Sequence, residues 1–152
     1  VRELLEGIAR VVEPDAAASH IRVICEQPSQ APFVQGDPEA LRQALLNLAL
    51  NACQAMPDGG TLRLTSKVLS GRRVAITVED TGVGIAPADL PRIFDLYFTT
   101  KPGGSGIGLS MVYRTVQLHD GEIEVQSTPG TGTTFRIVLP EAVGGSPVLG
   151  LR

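Results

Sequence analysis

Val74-Ala-Ile-Thr-Val-Glu-Asp80-Thr-Gly82-Val-Gly84 ends an apolar strand in a carboxylate that two glycines follow at once. Side chains alternate along a strand, so Val74, Ile76, Val78 and Asp80 share one side, and the acid faces the layer that the apolar side chains bury. A buried ionised acid needs a partner. A protein cation, a metal or a ligand carrying N–H groups would serve, and the glycines would let a ligand come close to the backbone.

The rest of the chain narrows the class. At 152 residues, 43% hydrophobic and 19% charged, it is expected to form one globular domain with a real core over residues 1–142, followed by a frayed tail over 143–152. A net charge of −3 without a polybasic run excludes nucleic acid as the main partner, because affinity for a phosphate backbone rests on clustered Lys and Arg. Cys25 and Cys53 are isolated within apolar patterns and read as reduced core residues, which points to a cytoplasmic setting. No signal peptide or 18-residue apolar run appears, so no direct membrane contact is expected. The opening in mid-helix suggests a domain cut from a longer protein.

Helices and strands alternate. Leu4, Leu5, Ile8, Val11 and Val12 recur at helical spacing, with Pro14 expected to kink or end that helix, and Ile21, Val23 and Cys25 alternate as a strand. After a short strand near Phe33 to Gln35, Asp37-Pro38 reads as N-cap and first residue of a helix over Ala40 to Ala55. Strands follow over Thr61 to Leu69 and Arg72 to Asp80, joined by a Ser-Gly turn. The Gly- and Pro-rich stretch from Gly82 to Gly108 predicts one short helix near Ala88 to Leu96, and a connection of this length is usually functional or mobile. A helix over Ile107 to His119 and a hairpin, Glu122 to Ser127 with Thr133 to Leu139, complete the pattern.

At 100° per residue the long helix sets Leu41, Leu45, Leu48 and Ala52 on one face and Gln43, Asn47, Asn51 and Gln54 opposite. A plain solvated face would carry Lys, Glu and Arg; an all-amide stripe flanked by Leu46 and Leu50 reads instead as a semi-buried groove. Amide oxygens suit Mg²⁺, which takes one or two protein groups besides phosphates and water, and amides cannot act as bases. Amides bonded to neighbouring loops would show the same spacing.

The third piece is Lys101-Pro-Gly103-Gly104-Ser-Gly106-Ile-Gly108-Leu109-Ser110, a glycine-rich loop opening a helix, where backbone N–H groups bind anions. It is not a P-loop, since Leu109 stands where the P-loop lysine would be. The helix has Leu109, Val112, Tyr113 and Val116 on its expected core face, while Ile107, Met111 and Leu118 form a second apolar face read as packing. On the last strand Thr133, Phe135, Ile137 and Leu139 share a side, so Thr133 is expected beside Asp80.

Together these segments resemble the ATP-binding domain of a two-component sensor histidine kinase, within the GHKL superfamily shared with gyrase, heat-shock chaperone ATPases and mismatch-repair MutL proteins. The resemblance runs from Val1 to about Pro140. Leu45-Leu-Asn47-Leu-Ala-Leu-Asn51-Ala resembles the N box and Asp80-Thr-Gly-Val-Gly84 the first glycine box. Arg92-Ile-Phe94-Asp-Leu-Tyr97-Phe98-Thr-Thr-Lys101 resembles the F box, Gly104-Ser-Gly106-Ile-Gly108-Leu109 the second glycine box, and Gly130-Thr-Gly132-Thr133-Thr-Phe135 a further glycine motif. All stand in the family's order.

The resemblance implies an α/β two-layer sandwich of the Bergerat type, with helices on one face of a mixed, mostly antiparallel sheet, that binds ATP and Mg²⁺. Asp80 would accept from the adenine amino group with Thr133 in support, and Asn51 would ligate the Mg²⁺. Asn47 and Lys101 would serve the transfer itself. Gly82 and Gly84 would belong to the nucleotide site, Gly104, Gly106 and Gly108 with Leu109 would wrap the phosphates, and 84–106 would form a mobile lid. Hydrolytic relatives carry a glutamate base at the position of Asn47. The amide removes it, which favours transfer to a nucleophilic histidine over attack by water. The implied partners are a histidine-bearing dimerisation domain of the same parent protein and a downstream response regulator.

Three departures qualify this reading. Asp95-Leu96-Tyr97 replaces the usual acid-Pro-Phe, and Gln54 and Ala55 stand where many members carry a cation and an aromatic, a pattern shared with nitrogen-regulation-type kinases. No phosphoacceptor helix is present: His20 precedes a strand, and His119 closes a helix as a C-terminal cation or a satisfied structural residue. The isolated chain is therefore expected to bind nucleotide and barely turn over. A non-catalytic nucleotide-responsive binding module and an anti-sigma-type serine kinase stand as alternatives.

Overall fold

The computed structural model describes residues 1–142 and 150–151. Helix α1 (Arg2–Ala18) leads through β1 (Ile21–Glu26) and β2 (Val34–Gln35) to α2 (Pro38–Gln54), the hairpin β3 (Gly60–Leu69) and β4 (Arg73–Asp80), α3 (Gly108–Leu118), and the hairpin β5 (Glu122–Thr128) and β6 (Gly132–Pro140). The main sheet has the order β1-β3-β4-β6-β5, parallel only between β1 and β3, and the three helices cover one face. This is the expected two-layer α/β sandwich. A short strand β7 (Gly150–Leu151) pairs antiparallel with β2, inside the span expected as a tail; residues 143–149 and 152 lie outside the described residues.

The core sits between the sheet and the helices. Val74, Ile76 and Val78 from β4, Leu62 and Leu64 from β3, and Phe135, Ile137 and Leu139 from β6 are buried against Leu41, Leu45, Leu48 and Ala52 of α2 and Val112 and Val116 of α3. Because β4 is the middle strand, the acid at its end is flanked on both sides, by Leu62 and by Thr133 in register. Leu48 is 1% exposed, so Leu48→Ala is expected to cost about 2–5 kcal/mol in a denaturant titration; a loss below about 1 kcal/mol would contradict this core.

Helix α2 starts as its sequence requires. Asp37 Oδ1 accepts from the N–H groups of Glu39 (3.0 Å) and Ala40 (3.3 Å), and Pro38 occupies the first helical position. His119 locks this start to the end of α3: its Nε2 accepts from Asp37 N–H at 3.0 Å while Nδ1 lies 2.7 Å from the Thr115 carbonyl. Both ring nitrogens thus have backbone partners, which fits His119 as a satisfied structural residue.

Three expectations fail for local reasons. Pro14 does not end α1, which runs on to Ala18 because Val12 and Ala16 bury its last turns against the core. The helix expected over 88–96 reduces to one 3₁₀ turn, Leu90–Arg92. Pro91 has no N–H to give the Pro87 carbonyl, so the segment closes instead through i→i−3 bonds such as Arg92 N–H to Asp89 and Asp95 N–H to Arg92. On α3, Tyr113 is half exposed rather than core, and Ile107, Met111 and Leu118 are exposed rather than packed. Helical spacing groups side chains on a face without saying whether anything covers it. Among the described residues no helix is long and apolar enough to cross a membrane, and Cys25 and Cys53 are free and half-buried.

Candidate functional site

The end of β4 opens into a cavity of about 590 Å³, a volume suited to a small-molecule ligand. One end holds Asp80, Thr133 and Phe135 with Ile85 and Ile93; the α2 groups Asn51 and Gln54 and the loop Lys101 to Leu109 supply the polar side. Of the residues singled out from sequence, Asn51, Asp80, Gly84, Lys101, Gly104, Gly106, Gly108, Leu109 and Thr133 line this cavity. Asn47 and Gly82 do not. Asn47 is half-buried one helical turn before Asn51, and Gly82 lies beneath α2's end, where a Cβ would overlap the Ala55 carbonyl.

Asp80 is only 6% exposed and has no cationic partner in a salt bridge among the described residues. Its Oδ1 accepts two backbone N–H groups, from Gly82 at 2.8 Å and Thr133 at 3.3 Å, while Oδ2 has no hydrogen bond among the described residues. Burial pushes its pKa above the ordinary carboxylate value, and the two N–H bonds pull the other way without reversing the shift. One oxygen thus fixes the group to the fold and the other is left for a donor in the cavity. Thr133 Oγ1 lies 2.8 Å from Ser127 Oγ, which accepts from Ile85 N–H at 2.7 Å. Ser127 escapes sequence reading because only the β5–β6 register brings it opposite Thr133.

At the polar end Lys101 Nζ donates to Asn51 Oδ1 (2.7 Å) and Gln54 Oε1 (2.5 Å). Partial burial pulls its pKa below the usual lysine value. Both amide oxygens therefore already point at a cation. The described residues contain no cluster of three or more His, Cys, Asp and Glu side chains that could cage a metal, so a metal here would need a ligand's oxygens as well. Such a donor set fits Mg²⁺ on a nucleotide.

The loop between β4 and α3 is anchored at Phe94 and closed at a neck between Tyr97 and Gly106. Phe94 packs near Tyr113 (ring centroids 5.5 Å apart) and edge-on to Phe135 (6.3 Å), anchoring the loop to α3 and β6. Tyr97, at φ 68°, donates its N–H to the Gly106 carbonyl at 2.8 Å, and Gly106, at φ 70°, leaves no room for a Cβ against the Tyr97 backbone. Gly106 therefore closes the loop neck as well as lining the cavity. Gly106→Ala is expected to cost about 1–3 kcal/mol locally, seen as faster chymotrypsin cleavage at Tyr97–Phe98 with little change in thermal midpoint. Unchanged cleavage would contradict the clasp.

A mixed sheet carrying helices on one face, with a buried acid, an amide-bearing helix and a glycine loop around one cavity, defines the nucleotide-binding domain of an ATPase superfamily. The chain belongs to the histidine kinase-, DNA gyrase B-, and HSP90-like ATPase family, whose pattern matches residues 36–143. It is 42% identical over 137 residues to the sensor histidine kinase ZraS of Escherichia coli, an alignment covering 90% of this chain and 29% of ZraS. It is 33% identical over 140 residues to sporulation kinase E of Bacillus subtilis, covering 92% of this chain and 19% of that kinase. The chain thus spans less than a third of these relatives. Among solved structures it is similar to full-length ShkA in complex with AMPPNP, with TM-score 0.86 and 34% identity over 95% of this chain and 31% of ShkA. It is also similar to the catalytic domain of histidine kinase ThkA, with TM-score 0.84 and 27% identity over 93% and 92% of the two chains. The fold and the kind of domain, the catalytic ATPase domain of sensor histidine kinases, are those expected from the sequence motifs.

Proposed function

We propose that this domain binds ATP with Mg²⁺ in the cavity and presents the γ-phosphoryl group to a histidine on a separate dimerisation domain of the same parent protein. The observation that carries the reading is Asp80, buried, held by two N–H groups through one oxygen and offering the other to the cavity. A carboxylate oxygen selects a donor, and the adenine amino group is one; Ile85, Ile93 and Phe135 supply apolar walls for the base. The ATP-analogue complex of ShkA, a similar protein, supports the same ligand class.

The triphosphate belongs at the other end. Gly108 and Leu109 open α3, whose first-turn N–H groups and positive dipole end favour phosphate oxygens. Lys101 adds a cation, and Asn51 Oδ1 would hold Mg²⁺, which when bound neutralises charge on the phosphates. Asn47, one turn earlier on α2, adds an amide near this end and no base. Nothing on α2 between Asn47 and Asn51 can activate water, so transfer relies on positioning a nucleophile that needs no strong base, as an imidazole does. A cytoplasmic location follows from the use of ATP, and a response regulator would take the phosphoryl group onward.

The test is to mix the chain with Mg-ATP and a purified histidine-bearing dimerisation domain. A γ-phosphate label should appear on the added domain as an acid-labile, base-stable phosphohistidine, with hardly any inorganic phosphate released by the chain alone. Rapid hydrolysis without acceptor labelling would contradict the transfer reading and favour a simple ATPase.

A further inference from the structure

We propose that Gln54 is a positioning residue: with Asn51 it forms a fork of two amide oxygens that docks the loop on α2 through Lys101 while the site is empty, and that surrenders Lys101 to the phosphates when Mg²⁺ takes Asn51. The fork is on one helix, three residues apart, and Lys101 Nζ reaches both arms, at 2.7 Å to Asn51 Oδ1 and 2.5 Å to Gln54 Oε1. The ammonium comes from the tip of a segment whose neck is fixed by the Tyr97–Gly106 bond, so docking that one side chain sets the posture of the whole tip. The release half of the proposal rests on the Mg-ATP reading above; the docking half does not.

The chemistry of the fork suits a releasable hold. Neither arm carries charge, and Lys101 forms no salt bridge among the described residues. Two neutral acceptors orient an ammonium without the Coulomb attraction of a carboxylate, and they are partly solvated, so the hold is weak enough to exchange. A divalent cation on Asn51 Oδ1 would repel an ammonium on the same oxygen. Phosphate oxygens arriving with that metal offer Lys101 a stronger, charged acceptor, so loop release and nucleotide capture become one step.

Hydrogen exchange of residues 97–106 in the empty chain, without Mg²⁺, tests the docking directly through the Gln54→Leu and Gln54→Glu variants. Leu removes the acceptor and should speed exchange about threefold; Glu adds charge and should slow it by a similar factor. Opposite signs are the signature, because a general perturbation of α2 would loosen the loop in both variants. Exchange that moves in the same direction in both, or in neither, overturns the proposal. The release half is read separately from the Mg²⁺ concentration needed for half-maximal ATP binding, expected to fall several-fold in Gln54→Leu, which removes one arm of the hold without adding a ligand for the metal. An unchanged requirement in a protein that binds Mg-ATP overturns release, whereas wild-type chain that binds no Mg-ATP overturns the site reading and leaves the exchange result standing.

Discussion

Asp80→Asn should stabilise the empty protein and at the same time remove its response to ATP. The two effects come from the two oxygens of one side chain. Asparagine keeps an oxygen for the Gly82 and Thr133 N–H groups, so the end of β4 stays closed, but it brings no charge into a site that burial makes unfavourable for one. The sign of the pH dependence follows from the raised pKa. Below the ordinary carboxylate range both folded and unfolded chains carry the proton and Asp80 costs nothing. As pH rises through and above that range the unfolded chain ionises first, and the folded chain must then hold a desolvated charge, so wild-type stability falls relative to the variant. At neutral pH the variant's melting midpoint should therefore lie above that of the wild type, and the gap should close as pH falls below the ordinary carboxylate range. With the amide oxygen facing the backbone, the amide nitrogen faces the cavity and sets donor against donor at the adenine amino group. ATP affinity should drop by a factor of about 10–100, as expected for loss of a hydrogen bond to a charged group plus an unpaired donor. Calorimetry of the empty variant and ATP titration together check both halves; a destabilised variant that still binds ATP normally would reverse the account of Asp80.

Asn51→Ala should have the largest effect on chemistry. The change removes the oxygen proposed to hold Mg²⁺, one of the two α2 amide oxygens that border the cavity and face the Lys101 ammonium, so ATP binding should lose its dependence on Mg²⁺. Phosphoryl transfer to an added acceptor domain should fall about 10²–10³-fold, the order seen when one fixed electrostatic partner of a reacting group is deleted. Half-buried Asn51 makes no bond to the core, so the folding midpoint should move little. Retained Mg-dependent binding in the variant would place the metal elsewhere.

Much of this site is legible in the sequence because it rests on two periodicities. Period-2 alternation fixes Val74, Ile76, Val78 and Asp80 on the buried side of β4, and the same rule on β6 delivers Thr133 beside Asp80. The 3.6-residue period gives α2 its buried leucines and opposite amides, and Asp37-Pro38 states where that helix begins. What escapes the sequence depends on contacts between segments that no period encodes. Pro14 lies inside α1 because Val12 and Ala16 on either side of it hold the last turns to the core. The apolar residues Ile107, Met111 and Leu118 of α3 look like a packing face and are exposed, since nothing in the described residues lies over them. Asn47 has the spacing of Asn51 yet stays outside the cavity wall, because the loop that shapes the wall docks a full turn further along α2. Ser127 and the Tyr97–Gly106 clasp follow from strand register and loop closure, which become visible only in three dimensions.

On the proposed function, Asp80 reads the exocyclic amino group of adenine. Titration of the chain with Mg-ATP and with Mg-inosine triphosphate, which differ at that position by an amino donor against a carbonyl acceptor, tests it in one comparison. Mg-ATP should bind, and the inosine nucleotide should bind at least tenfold more weakly, because its carbonyl would meet a buried carboxylate. Equal affinities for the two would contradict this reading.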